Sequence, residues 1–164
     1  EWCSEGRLSH EVFWPCITFK SRDNARTPVQ WDDSLHAGFT TGTPWIAVNP
    51  NYTEINAKAE TADPDSVFHY YKKLIALRKA YPVVVYGKYE TMMEDSEELY
   101  VYTRAFEKES LLVVCSFCDH DTNFTLPAEF AGASCLICNV ENEYGNPKMT
   151  LKPYEAFVLY RKLS

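Results

Sequence analysis

Six cysteines stand in the 164-residue chain, and four of them spell Cys115-x-x-Cys118 and Cys135-x-x-Cys138 with sixteen residues between the pairs. As a bare pattern this is the spacing of a four-thiolate zinc site. The local sequence argues against that chemistry. A zinc knuckle needs a tight turn to aim two sulfurs at one ion, whereas residues 111–118 read as a buried strand, on which positions three apart face opposite sides of the sheet. Residues 134–138 are likewise apolar, with no Gly or Pro to turn them. Small buried hydrophobes on neighbouring strands is the role these cysteines are expected to fill. Accordingly no metal and no cofactor is expected, and no disulfide, since nothing points to an oxidising compartment. Cys3 and Cys16 lie in a segment that yields no reading. The one His-Asp dipeptide, His120-Asp121, ends a strand beside Thr122-Asn123 and reads as a solvated turn. His36 and His69 have no evident carboxylate or metal partner and read as structural.

The elements that must position any site are bounded first by composition. Hydrophobic residues make up 46% of the chain, enough for a real core, and aromatics 15%. A formal charge of -7 repels phosphate backbones, and the densest basic spots are only Lys72-Lys73 and Arg161-Lys162, so nucleic acid is excluded as a partner. No apolar run approaches the ~18 residues that span a bilayer, and the first residues lack the order of a signal peptide. The expectation is therefore no membrane and a cytoplasmic location. A start at Glu1 rather than Met is compatible with a piece of a longer polypeptide.

Along the chain, residues 1–20 show neither a helical nor a strand period and are left unassigned. From 21 to 62 runs a stretch rich in Pro, Asn, Thr, Gly and Trp, far longer than the ~15 residues an unstructured loop reaches inside a compact domain, so it should pack against something. A helix is predicted over 63–80, with Asp63 as cap, Pro64 at the first helical position, and Val67, Tyr70, Tyr71, Leu74 and Leu77 at helical spacing. Phe68 and Ile75 widen its apolar face enough to suggest burial on two sides. Pro82 stops it by disfavouring helical dihedrals at Tyr81. The period then becomes two, with strands predicted at 83–85, 89–93, 99–104, 111–117, 123–126, 134–138, 148–151 and 156–161, an even spacing that suggests an antiparallel sandwich.

The segment Arg22-Asp23-Asn24-Ala25-Arg26-Thr27-Pro28-Val29-Gln30-Trp31-Asp32-Asp33 resembles a signature of glycoside hydrolase family 13, the α-amylase family, in its oligo-1,6-glucosidase and α-glucosidase branch, with Val29 in place of the common Met. Ala37-Gly38-Phe39-Thr40-Thr41-Gly42, Pro44-Trp45-Ile46, Val48-Asn49-Pro50-Asn51-Tyr52, the 63–79 stretch and Leu151-Lys152-Pro153-Tyr154-Glu155-Ala156 continue the likeness to the C-terminus.

The resemblance implies an α+β, mainly β chain: 21–81 would be the end of a (β/α)8 barrel, an active-site-facing loop plus the last helix, and 82–164 a C-terminal antiparallel β-sandwich of Greek-key type. It implies retaining hydrolysis of terminal α-1,6-linked or related glucose from short oligosaccharides such as isomaltose. That chemistry needs two carboxylates about 5 Å apart, which the family takes from earlier barrel strands that this chain lacks. Alone, the chain is expected to be inactive and to need that missing N-terminal barrel as its partner. No catalytic residue is assigned. Arg22 would pair with a barrel aspartate and contact the non-reducing glucose, with Arg26 beside it, because a guanidinium can grip a carboxylate and still donate to sugar hydroxyls. Trp31, Phe39, Trp45 and Tyr52 could stack on sugars, although packing is expected for three of the four. The alternative is a non-catalytic sugar-binding or transporter-heavy-chain-like relative, against which the intact Arg22–Trp31 motif weighs. Oligo-1,6-glucosidases, maltases, dextran glucosidases, trehalose-6-phosphate hydrolases and sucrose isomerases share this region, so the substrate stays open at this point.

Overall fold

A computed structural model of the chain describes Gly6 and residues 9–162, so Cys3 lies outside the described residues. Two units are distinguished, 1–66 and 67–164.

In the first unit, α1 (His10–Lys20) occupies part of the segment for which no period was read. Its apolar residues Val12, Trp14, Ile17 and Phe19 spread around the axis instead of forming a stripe, and Pro15 sits inside it, which is why the pattern hid a helix. None of its residues is buried. The long 21–62 stretch is not all loop: α2 (Ala57–Ala62) closes it, with the Asn56 side chain accepting from the Ala59 N–H at 2.9 Å. A helix of six residues is too short to show periodicity.

That short helix also corrects the start expected for the next one. Asp63 ends α2 instead of opening its successor, and its carboxylate accepts from the Asp65 N–H at 2.9 Å, a turn that places Pro64 outside any helix. In the second unit α3 spans Val67–Ala80. Tyr81 is extended ahead of Pro82, as expected, but Pro82 then takes the first position of α4 (Pro82–Tyr86). The predicted strand at 83–85 is therefore helical. Val83 is fully buried, and Gly87 follows because a Cβ there would meet the Val83 carbonyl at 2.4 Å. Arg104 donates to the Gly87 carbonyl at 2.8 Å, tying down the helix end.

The remaining strand expectations hold: β1 (Lys88–Met92), β2 (Leu99–Phe106), β3 (Glu109–Ser116), β4 (Thr122–Thr125), β5 (Ser134–Cys138), β6 (Lys148–Leu151) and β7 (Ala156–Lys162). All pairings are antiparallel, in a five-stranded sheet ordered β1-β2-β3-β7-β5 and a two-stranded sheet β4-β6. The chain is thus mainly β, with few helices. Leu99, Val101, Leu112, Val114, Phe157 and Leu159 of the larger sheet meet Phe124, Leu126, Phe130, Met149 and Leu151 in one apolar cluster. Burying such a side chain contributes about 1.5–3 kcal/mol. Leu111, on the opposite face of β3 from Leu112, is buried too, which accounts for the uninterrupted apolar run of that strand. Tyr70 of α3 is half-buried, and burial first, then the thiols of Cys138, Cys115 and Cys135, push its phenol pKa up. On α3, Val67, Phe68, Tyr71, Leu74 and Ile75 are exposed.

One buried acidic side chain ties the sheet ends together. Glu155 is fully buried and accepts from the Lys152 N–H at 2.7 Å, the Tyr144 hydroxyl at 2.9 Å and the Asn142 amide at 3.0 Å. Burial first, and then this carboxylate, push the Tyr144 phenol pKa far up.

Candidate functional site

The segment 22–56 is shaped by polar side chains bonding to backbone. A single helical turn over Asp23–Ala25 follows Arg22, and Arg26 closes it with its N–H on the Asp23 carbonyl. Gln30 is the cross-brace: its side-chain amide donates to the Ile55 carbonyl and, at 3.2 Å, to Asn51 Oδ1, while its own carbonyl accepts from the Ala57 N–H at 2.8 Å. Trp31 bonds in both directions, its N–H to the Ala37 carbonyl at 2.9 Å and its carbonyl from the Lys58 N–H at 3.0 Å. Asn56, buried, also donates to the Tyr52 carbonyl at 2.9 Å.

Asp32 shapes the tightest part. The Ser34 hydroxyl and then the Ser34 N–H donate to its carboxylate and hold its pKa below the ordinary range. His36, Ala37 and Gly38 then run consecutively in the left-handed region, at φ of 55°, 57° and 65°. Two non-glycine residues there store strain, which surrounding contacts must offset. At Gly38 a Cβ would lie 2.8 Å from Asp32 Oδ1, so both space and backbone conformation demand glycine.

Two shallow concavities open on this segment, and Pro44 and Trp45 line both. One, of about 240 Å³, is lined also by Arg26, Phe39 and Ile46, the other by His36, Val48 and Tyr52. Arg26 lies 3.7 Å from Asp23 in an exposed ion pair, the kind worth under about 1 kcal/mol. Arg22 is exposed at the head of the turn and is not among the residues lining either concavity. The two arginines expected to share a pocket are thus placed four residues apart on one turn, with only Arg26 on a concave wall. Trp45 is 90% exposed, and Trp31 and Phe39 are exposed as well, so the chain itself does not supply the packing expected for these aromatics. Gln30, Asp32 and Asn56 escaped the sequence reading. The Asp-x-Ser turn and the Asn before a helix-forming run were the signals that could have found the last two.

The buried strand role expected of the four cysteines is met only in part: Cys115, Cys135 and Cys138 lie on strands but only Cys118, which follows β3, is buried, while Cys115 and Cys138 are half-buried and Cys135 is exposed. Cys115, half-buried, is among the groups that raise the Tyr70 pKa, while Cys118 Sγ lies 3.7 Å from the Glu98 carbonyl. A β-bulge between Cys135 and Ile137 brings the Cys135 and Cys138 thiols within contact of each other. Burial first, then Cys138, push the Cys135 thiol up to about 11. A thiol held neutral in this way is a poor nucleophile. Among the described residues no helix is long and apolar enough to cross a membrane.

Residues 7–87 match the family described as alpha amylase, catalytic domain. The chain is 45% identical over 159 residues to the oligo-1,6-glucosidase of Halalkalibacterium halodurans, covering 94% of this chain and 28% of that protein. It is 50% identical over 146 residues to the oligo-1,6-glucosidase of Parageobacillus thermoglucosidasius, covering 87% and 26%. Among solved structures, Bacillus licheniformis trehalose-6-phosphate hydrolase superposes with a TM-score of 0.85 at 42% identity, over 96% of this chain and 29% of that one. A trehalulose synthase does so at 0.88 and 39%, over 98% and 30%. The chain therefore spans under a third of the length of the relatives it matches.

Proposed function

Since the chain belongs to the α-amylase family of glycoside hydrolases, we propose that it is the C-terminal part of a cytoplasmic α-glucosidase that removes terminal α-1,6-linked or related glucose from short oligosaccharides. In this reading 21–81 completes a (β/α)8 barrel and 82–164 is a Greek-key β-sandwich beside it. The observation that carries it is the surface of the 22–56 segment: a strained, polar-braced loop that holds Trp31, Phe39 and Trp45 in water. Ordering such a loop costs conformational entropy that its own buried contacts do not offset, so a covering surface must. A barrel's C-terminal face is where such loops close over a substrate.

The chemistry belongs to two carboxylates on that barrel, one attacking the anomeric carbon and one protonating the leaving oxygen. The role assigned to this chain is positioning. Arg22 grips a barrel carboxylate with parallel hydrogen bonds and directs a remaining N–H to a hydroxyl of the terminal glucose; Arg26, on the concave wall, neighbours it. Names of relatives favour the 1,6-glucosidase reading, while trehalose-6-phosphate hydrolase and trehalulose synthase share the same scaffold.

The experiment joins the chain in frame to the upstream three quarters of an oligo-1,6-glucosidase and compares glucose release from isomaltose with that of the chain alone. The fusion is expected to turn over and the chain alone to be inert. Arg22→Lys in the fusion should lower kcat/KM by about tenfold or more, since a lysine cannot make the paired bonds. Turnover by the isolated chain, or a fusion indifferent to Arg22→Lys, would overturn the assignment.

A further inference from the structure

Where β2 begins and β3 ends, three side chains bring a carboxylate, a thiol and an imidazole to one spot. The backbone there is fixed by the sheet: Leu99 pairs with Ser116, and the Phe117 N–H donates to the Glu98 carbonyl at 2.9 Å. Cys118 is buried, and its carbonyl accepts from the Tyr154 N–H at 3.0 Å. Its Sγ lies 3.7 Å from the Glu98 carbonyl. His120, two residues on, has Nε2 3.3 Å from Glu98 Oε1 and Nδ1 3.2 Å from Asp119 Oδ1. One ligand atom each from Glu98, Cys118 and His120 lie within 4.8 Å of one another, and among the described residues this is the group of three that gathers so.

We propose that Glu98, Cys118 and His120 form a three-ligand site for a borderline-soft divalent metal ion, zinc above all, with the fourth position open to water. Atoms bound to a tetrahedral zinc stand about 3.3–3.8 Å apart, a separation the Glu98–His120 pair already has, and the Cys118 sulfur lies within 4.8 Å of both. Asp119 supplies the part such sites need behind the imidazole: accepting from Nδ1–H, it fixes the tautomer that leaves the Nε2 lone pair free for the ion. On binding, the Cys118 thiol gives its proton to solvent and ligates as thiolate. Glu98 and His120 are more than half exposed, so the ion enters without opening the fold. This site uses one cysteine from the Cys115-x-x-Cys118 pair and none from the other, unlike the four-thiolate pattern that the spacing suggested. A plain His-carboxylate ion pair would explain the Asp119–His120–Glu98 contacts without any part for sulfur, and that difference makes the two accounts separable.

Cobalt(II) titrated into the reduced full chain reads it directly, because only a thiolate ligand gives a near-ultraviolet sulfur-to-cobalt band. The expected result is a band saturating at one equivalent and bleached by zinc, absent in Cys118→Ser and retained in the Cys135→Ser/Cys138→Ser double variant. Asp119→Asn should weaken binding about tenfold. His120→Ala, at an exposed position where folding is not at stake, should weaken it at least as much, with far-ultraviolet circular dichroism confirming that each variant is folded. No saturable band, a band that survives Cys118→Ser or follows the Cys135/Cys138 pair, or unchanged affinity in His120→Ala would each overturn the proposal.

Discussion

Residues 67–164 and residues 9–66 solve the problem of staying folded in opposite ways. The first gathers nine apolar side chains from two sheets, with Leu126 and Phe130 from the connection between them, into one buried cluster and satisfies the carboxyl it buries beside it. The second buries Ala37 and Pro28 among its described apolar residues, holds its turns with Gln30, Asp32 and Asn56, and leaves its tryptophans in solvent. Hydrogen bonds on an open surface contribute only about 1 kcal/mol each, since water competes for every donor. Polar bracing can therefore specify a loop's shape without making it stable, and in the proposed reading a barrel surface supplies the rest.

The contrast can be strained from its strongest side first. Phe157→Ala empties the centre of the cluster and should cost about 3–5 kcal/mol in chemical denaturation followed by circular dichroism; a loss below 1 kcal/mol would mean that the two sheets do not share a core. Glu155→Leu should cost about 1–3 kcal/mol, because it removes the acceptor shared by the Lys152 N–H, the Asn142 amide and the Tyr144 hydroxyl, leaving the latter two only the Thr150 and Val140 carbonyls. In the other unit Gly38→Ala should cost about 1–3 kcal/mol, yet only locally. Hydrogen exchange should show faster exchange around Trp31 and Ala37 with β3 and β7 unchanged.

Alkaline pH should separate the units next. Burial first, then Glu109, hold Tyr160 up to about 12, and Tyr144 and Tyr102 are raised, mainly by burial. In the unfolded chain these phenols ionise near 10. Because the folded pKa values are the higher ones, their contribution is complete below pH 10 and is lost as pH rises from 10 toward 12. Tyr144→Phe should lower stability at pH 8 and flatten the fall above pH 10; an unchanged slope would remove Tyr144 from the account. The smallest effect belongs to Trp45→Ala, expected within about 0.5 kcal/mol in the chain alone.

Legibility in the sequence followed the same divide. Alternation is clearest in β2, β4, β6 and β7, which bury one face on a core contained in the chain, whereas β3 reads as a continuous apolar run because both its faces are covered and β1 is exposed except at Met92. It failed at 83–85, where three valines suggest a strand but Pro82 pre-sets a helical turn and Gly87 ends it. It failed again at α1 and α2, one with apolar residues on every side and the other too short to repeat. Arg22 and Arg26 were found by the motif around them, and the residues that shape that motif were not: Gln30 acts on partners more than twenty positions away, and nothing local announces a long-range brace. Glu155 was noticed only as part of a likeness, since a lone Glu before a strand gives no sign that three donors converge on it.

All four tryptophans, at positions 2, 14, 31 and 45, precede residue 67, so tryptophan emission reports one unit while the strand signal in circular dichroism reports the other. Parallel denaturant titrations of the isolated chain carrying Trp2→Phe should give a cooperative transition in the strand signal, alongside emission from Trp14, Trp31 and Trp45 that is water-like from the start and drifts without a midpoint. Coincident sigmoidal transitions from a blue-shifted starting emission would contradict the account, because residues 1–66 would then be covering their own apolar surface.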